Sequence, residues 1–325
     1  MTSAILLAGY NNKREVKKYS KIVAEHYGEV FVESGYKPLR EFEVPLDGRN
    51  TRKPLIQFTL ERLVQSPLIS EIVVIGHRML LEQRLGKLIS SMDKPCRIEN
   101  QNARIPKWAI DQLDMDPKKI KYNSMAGNMI KGYIASAAYQ RREHALFVAS
   151  DSPLTSLEFI EDFLRLVAKH QDDAGIICPA IVMDAEEDRL GRKPLKLSND
   201  SRYPVPGFAD DFGRQGFRLS SLLSANLHRF NLNAINVAYS LRKLISPKVQ
   251  LKLIRITRNL GYKNVYTKYF RKRDLSITEV ENIASTFIDG RFALIPMIGE
   301  ETTYDYDGTN EEFRRLTRML SSGRY

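Results

Sequence analysis

Cysteine is scarce: Cys96 and Cys178 are the two among 325 residues. They lie far apart, with no CxxC motif and no histidine at metal-ligand spacing. A disulfide scaffold and a structural zinc site are therefore excluded, and a reducing compartment fits. Long apolar runs are also missing. None approaches the roughly 20 residues that span a bilayer. The early run Ala4–Ala8 is too short for a secretory h-region and leads straight into a glycine-containing turn. The expected location is cytoplasmic. Also absent are an internal repeat, a low-complexity segment, and the HExxH and Ser-His-Asp patterns of zinc and serine hydrolases. What is present, 43% hydrophobic and 27% charged residues, excludes disordered and fibrous classes and supports a sizeable buried core.

Acidic charge is short in one place. Fifty Lys and Arg against 39 Asp and Glu give a formal charge of +11. Nearly all the excess falls between Arg242 and Asp274, where eleven basic residues face one acidic residue. The rest of the chain is near neutral, which argues against a nucleic-acid-binding surface over the whole protein. Within Arg242–Arg273 the basic residues alternate with aliphatic ones and then with Tyr262, Tyr266, Tyr269 and Phe270. Three readings stay open: a solvated amphipathic subdomain, peripheral contact with an anionic membrane, or nucleic-acid contact through stacking aromatics.

Short apolar runs at Ala4–Ala8, Ile72–Ile75, Ala145–Ala149 and Ile176–Met183 lack period-two alternation, as parallel strands buried on both faces do. Helical patterns lie between them over Leu55–Val64, Met125–Ala138 and Leu157–Ala168, the last with a capping box expected at Thr155-x-x-Glu158. A polar excursion spans Asp184 to Phe217. Helical spacing returns over Asn231–Ile245 and Val249–Leu260, Ser276-x-x-Glu279 caps another helix, and a strand at Phe292–Ile295 precedes a closing helix from Thr309. The alternation predicts an α/β fold with a doubly wound, mostly parallel, Rossmann-like sheet and a C-terminal helical extension.

In such sheets ligands sit beyond the carboxyl ends of the strands. Gly9 follows the first strand, His77 the second and Asp151 the third. Asp151, before a proline and a helix, suits Mg²⁺, which takes one or two protein carboxylates plus substrate phosphate oxygens. Asp305 and Asp307 are candidates for the second carboxylate, although acidic residues before a helix also serve its dipole. Lys37 and Lys53, each followed by Pro-Leu, suit phosphate neutralisation, although either one alone fits better a surface lysine before a proline-started helix. His77 fits a solvated histidine at least as well as a site residue.

Taken in order, these segments resemble the nucleotidyltransferases of GT-A-like fold, in their MobA-like branch. Leu6-Leu7-Ala8-Gly9 is similar to the family's opening strand and turn, although Tyr10, Asn11 and Asn12 stand where the family carries glycines. Tyr36-Lys37-Pro38-Leu39 resembles its phosphate-binding lysine segment, and Lys53-Pro54-Leu55-Ile56 its following helix start. Asn123 to Gly132 resembles the segment that approaches base and ribose, Ser150-Asp151-Ser152-Pro153-Leu154 the metal-aspartate strand end, and Tyr304 to Phe313 the segment supplying a second metal carboxylate.

The resemblance implies an enzyme that transfers a nucleoside monophosphate from a nucleoside triphosphate to a phosphorylated small molecule, with Mg²⁺ and release of pyrophosphate. Lys37, with Arg14, would stabilise the departing pyrophosphate. Asp151 and Asp307, or Asp305 in its place, would hold the metal. Ala8, Gly9, Lys53, Ser124 and Asn128 would line the nucleotide. Asp210, Asp211, Arg214 and Arg218 lie in the excursion that would face the acceptor, and they fit a solvated loop of mixed charge as well. One nucleotidyltransferase domain, 1–325, is expected: a nucleotide-binding core at 1–183, an acceptor-side excursion at 184–230, a basic helical region at 231–290, and a closing strand and helix at 291–325. Two rival functions share the fold: a glycosyltransferase using a nucleotide sugar, and a non-catalytic nucleotide- or RNA-binding protein.

Overall fold

The computed structural model describes residues 1–9, 36–46, 49–116, 118, 120, 124–183, 195–198, 200, 215–235, 254–259, 261–265, 267–268, 275–304, 306 and 310–321. Along the chain these form β1 (Thr2–Ala8), β2 (Glu41–Leu46), β3 (Arg49–Pro54), α1 (Leu55–Gln65), β4 (Ile69–Gly76), α2 (Arg78–Ser90), β5 (Cys96–Asn100), α3 (Lys107–Gln112), α4 (Met125–Ile134), α5 (Ala137–Arg141), β6 (Ala145–Ala149) and α6 (Leu157–His170). There follow β7 (Ile176–Met183), β8 (Leu195–Leu197), β9 (Gln215–Leu219), β10 (Leu222–Ala225), α7 (Ile277–Ile288), β11 (Phe292–Met297) and α8 (Asn310–Ser321).

Two compact units divide the chain. The first comprises Met1–Ile105, Tyr122–Arg165 and Tyr304–Tyr325. Its strands run in the order β5-β4-β1-β6, all parallel, with Leu6 of β1 level with Val74 of β4 and Val148 of β6. Residues 4 to 8 of β1 are all buried, so both faces of this strand are covered, which is why its run shows no polar alternation. Gly132 of α4 lets that helix lie directly on the sheet, because a Cβ there would strike Ile5 and approach Ile75 to 3.1 Å. The hairpin β2–β3 leaves the sheet and returns where the Leu55 amide donates to the Arg40 carbonyl at 2.7 Å. Its inward residues Phe42 and Val44 are buried, and Phe42 packs on Phe313 of α8.

The second unit comprises Pro106–Lys121 and Leu166–Thr303. At its centre, β7 pairs in parallel with β11 on one edge and antiparallel with β9 and β10 on the other. The expectation that Ile176–Met183 joins a parallel set therefore holds on one side only. Burial on both faces makes the run apolar, but it does not fix the direction of the neighbours. Ala180, Leu197, Phe217, Ile277 and Leu294 form its core. Helix α7 carries the expected capping box between Ser276 and Glu279.

Two local expectations need correction. The helix expected over Met125–Ala138 is two helices, because Ser136 turns extended and its hydroxyl donates to the Tyr133 carbonyl at 2.7 Å, competing with the helical ladder. The cap of α6 is Ser156, whose hydroxyl accepts from the Phe159 amide at 3.1 Å. Thr155 next to it is buried, and its hydroxyl has no hydrogen-bond partner among the described residues. Of the stretches expected to be helical over Asn231–Ile245 and Val249–Leu260, Leu232–Ala234 form a 3-10 turn and residues 254–259 are helical. Residues 236–253 and 260, with most of the basic segment, lie outside the described residues.

Candidate active site

The carboxyl ends of β1, β4 and β6 meet in the first unit, and a buried tyrosine ties two of them. The Tyr36 hydroxyl donates to the Ala8 carbonyl and accepts from the His77 amide at 3.1 Å, joining the ends of β1 and β4. Its ring lies 6.3 Å from that of His77. A proline-containing 3-10 turn, Lys37–Leu39, follows at once, so the Lys37 position is set by a buried neighbour and a rigid turn.

Lys37 and Asp151, 114 residues apart, form an ion pair through Nζ and Oδ2. The pair is partly open to solvent, with the two side chains 16% and 29% exposed. Asp151 is held from both sides along the main chain: the Ser150 amide donates to the Leu7 carbonyl at 3.1 Å, and the Tyr306 amide donates to the Asp151 carbonyl at 2.9 Å. The carboxylate is a hard oxygen donor beside a phosphate-suited lysine, so the donor chemistry fits Mg²⁺. Among the described residues no group of three or more His, Cys, Asp and Glu side chains could hold a metal. Arg14, Asp305 and Asp307 lie outside the described residues, as do Asp210, Asp211 and Arg214.

A second cluster stands against Gly9. A Cβ at this position would fall on the Asn128 amide nitrogen and come within 3.1 Å of Gln101 Oε1, so glycine is what allows the close approach. Asn128 is 4% exposed, and its Oδ1 has no hydrogen-bond partner among the described residues. One turn further along α4, the buried Lys131 donates to the Gln101 carbonyl. Burial pulls its amine down to about 8.

The remaining sequence candidates stand apart from these clusters. Ser124 is the N-cap of α4, accepting from the Gly127 amide at 3.1 Å. Lys53 pairs with Glu61 of α1 at 3.0 Å. Arg218 belongs to the second unit, on β9 opposite Ile181. Sequence reasoning gave no role to Tyr36, Arg40, Gln101, Lys131 or Tyr306. A Tyr between two aspartates in the Asp305-Tyr306-Asp307 segment was the one local signal among them.

No protein-family model and no curated protein matches the chain. A hypothetical transferase from Thermus thermophilus matches in structure over 96% of this chain and 99% of its own, at 21% identity and a TM-score of 0.54. CMP:2-keto-3-deoxy-manno-octonic acid synthetase complexed with CTP matches over 99% and 100%, at 12% identity and 0.49. The 4-diphosphocytidyl-2C-methyl-D-erythritol synthase from Anaerococcus prevotii DSM 20548 matches over 98% of each chain, at 12% and 0.45. The last two are too distant to guide an assignment. What the comparisons show is a shared fold: this chain has a mostly parallel, Rossmann-like α/β architecture.

Proposed function

We propose that this protein is a nucleotidyltransferase that moves a nucleoside monophosphate from a triphosphate to a phosphorylated small molecule and releases pyrophosphate. The observation that carries the reading is the Lys37–Asp151 pair at the carboxyl edge of β1 and β6, beside a glycine packed against the amides of Asn128 and Gln101.

An acceptor phosphate oxygen forms a bond to the α-phosphorus as the bond to the pyrophosphate oxygen breaks. That nucleophile is already largely ionised at neutral pH, so positioning and charge neutralisation carry the reaction without a strong general base. Lys37 neutralises the phosphate oxygens on which charge accumulates, and pyrophosphate departs with the electron pair. Asp151 would hold Mg²⁺, with Asp307 or Asp305 as the sequence candidate for a second ligand. When bound, the metal supplies Lewis-acid stabilisation of the phosphate oxygens. Gly9 admits the nucleotide, with Asn128 and Gln101 flanking it.

The test is thermal stabilisation by ATP, CTP, GTP and UTP with and without Mg²⁺, followed by pyrophosphate release with phosphorylated acceptors. A ligand at 100 times its Kd adds about 2.7 kcal/mol. A base-selective, Mg²⁺-dependent shift is expected. Stabilisation by nucleotide sugars alone would favour a glycosyltransferase, and stabilisation by no nucleotide would favour a non-catalytic protein.

A further inference from the structure

Arg40 is buried, 4% exposed, although no strand or turn demands a charged residue at its position. A guanidinium taken out of water is costly unless its donors are used and its charge is faced. Here Nη1 donates to the Tyr306 hydroxyl, and the guanidinium carbon lies 4.0 Å from the Phe313 ring centroid and 5.4 Å from that of Tyr306. Phe42 closes the cluster, edge-on to Tyr306 at 5.6 Å and 4.9 Å from Phe313.

The same Tyr306 reaches both members of the ion pair. Its amide donates to the Asp151 carbonyl, and the Lys37 ammonium lies 5.8 Å from its ring centroid. Three segments distant in the chain thus converge on one fully buried side chain: the Lys37–Arg40 turn, the end of β6, and the segment leading into α8. In the sequence Tyr306 is flanked by Asp305 and Asp307.

We propose that Arg40 and Tyr306 form a latch that holds the closing segment on Asp151, making Arg40 a positioning residue for the metal–triphosphate centre. The inference rests on the nucleotidyltransferase reading for its chemistry and on the cluster itself for its mechanics. Removing the Tyr306 hydroxyl takes one hydrogen-bond acceptor from the buried guanidinium and loosens the link between Arg40 and the residue that grips Asp151.

The experiment compares wild type, Tyr306→Phe and Arg40→Lys in two readouts: hydrogen exchange over Tyr304–Phe313, with α2 as control, and the Mn²⁺ concentration that half-saturates nucleotide-dependent stabilisation. Loss of a hydrogen bond to a charged group predicts exchange about tenfold faster over Tyr304–Phe313 alone, and a half-saturating Mn²⁺ concentration about tenfold higher. Unchanged exchange overturns the latch. Faster exchange with unchanged Mn²⁺ dependence overturns its positioning role and leaves a structural bond. If wild type shows no metal-dependent nucleotide effect, the nucleotidyltransferase reading falls, and the exchange data still decide whether the latch exists. Should one variant not fold, the other carries the same comparison.

Discussion

Two corners of one strand edge are built from different chemistry. Around Lys37 and Asp151 the side chains are charged, partly open, and backed by a ring and a buried arginine. Around Gly9 the groups are two buried amides, Asn128 and Gln101, with a buried lysine drawn down by its surroundings. Charge left open to water suits a multiply charged ligand that brings its own counter-ions. Amides packed against a glycine suit a flat, neutral group recognised by shape and a few hydrogen bonds. On the proposed reading the first corner takes the phosphates and metal, and the second takes the nucleoside.

The largest effect belongs to the charged corner. Asp151→Asn is expected to lower pyrophosphate release by about 10³-fold, by removing the metal donor and the charge that faces Lys37. Lys37→Ala should cost about 10²-fold, the scale of losing one preorganised electrostatic contact. Because buried Tyr36, Pro38 and Leu39 fix this turn and the Lys37 side chain is partly open to solvent, the apo melting temperature should stay near that of wild type. Unchanged turnover in Lys37→Ala would move the phosphate site elsewhere.

Gly9→Ala sharpens the contrast. The added methyl displaces the Asn128 amide, and overpacking of about 1–3 kcal/mol predicts roughly tenfold weaker nucleotide binding. The Mg²⁺ dependence should be preserved, in contrast to Asp151→Asn. Loss of Mg²⁺ dependence in both variants would erase the division between the corners.

The smallest effect concerns Lys131. Burial lowers its folded pKa from 10.5 to about 8. The unfolded chain therefore binds more protons between those values, and stability attributable to this residue rises with pH across that window. Denaturant unfolding of wild type and Lys131→Met from pH 7 to 10.5 checks the sign: wild type should gain relative to the variant above about pH 8. A flat difference would mean that the amine is solvated.

Local order was legible in the sequence where local rules decide it. The apolar runs of β1, β4 and β6, the span of α1 and the Ser276–Glu279 box all depend on residues within one element. The β2–β3 hairpin was missed although Glu41, Phe42, Glu43 and Val44 alternate with period two and Asp47-Gly48 follows, a common turn pair. Asp151 and Gly9 could be singled out as strand-edge positions, but that Lys37 meets Asp151 is tertiary information. Tyr36, Arg40 and Tyr306 were silent for the same reason: the hydrogen bonds that give them meaning span 28 and 266 residues. Thr155 and Ser156 show the opposite limit, since two adjacent hydroxyl residues both suit a cap and the Phe159 amide bonds to Ser156.

On the proposed reading, Asp151, paired with Lys37, would be where metal and triphosphate come together. Calorimetric titration of wild type and Asp151→Asn with the stabilising nucleotide, in Mg²⁺ and in its absence, tests it most directly. Binding strengthened by Mg²⁺ is expected in wild type, with a Mg²⁺-independent remnant in Asp151→Asn. Equal Mg²⁺-nucleotide affinity in the two proteins would contradict it and place the metal elsewhere in the chain.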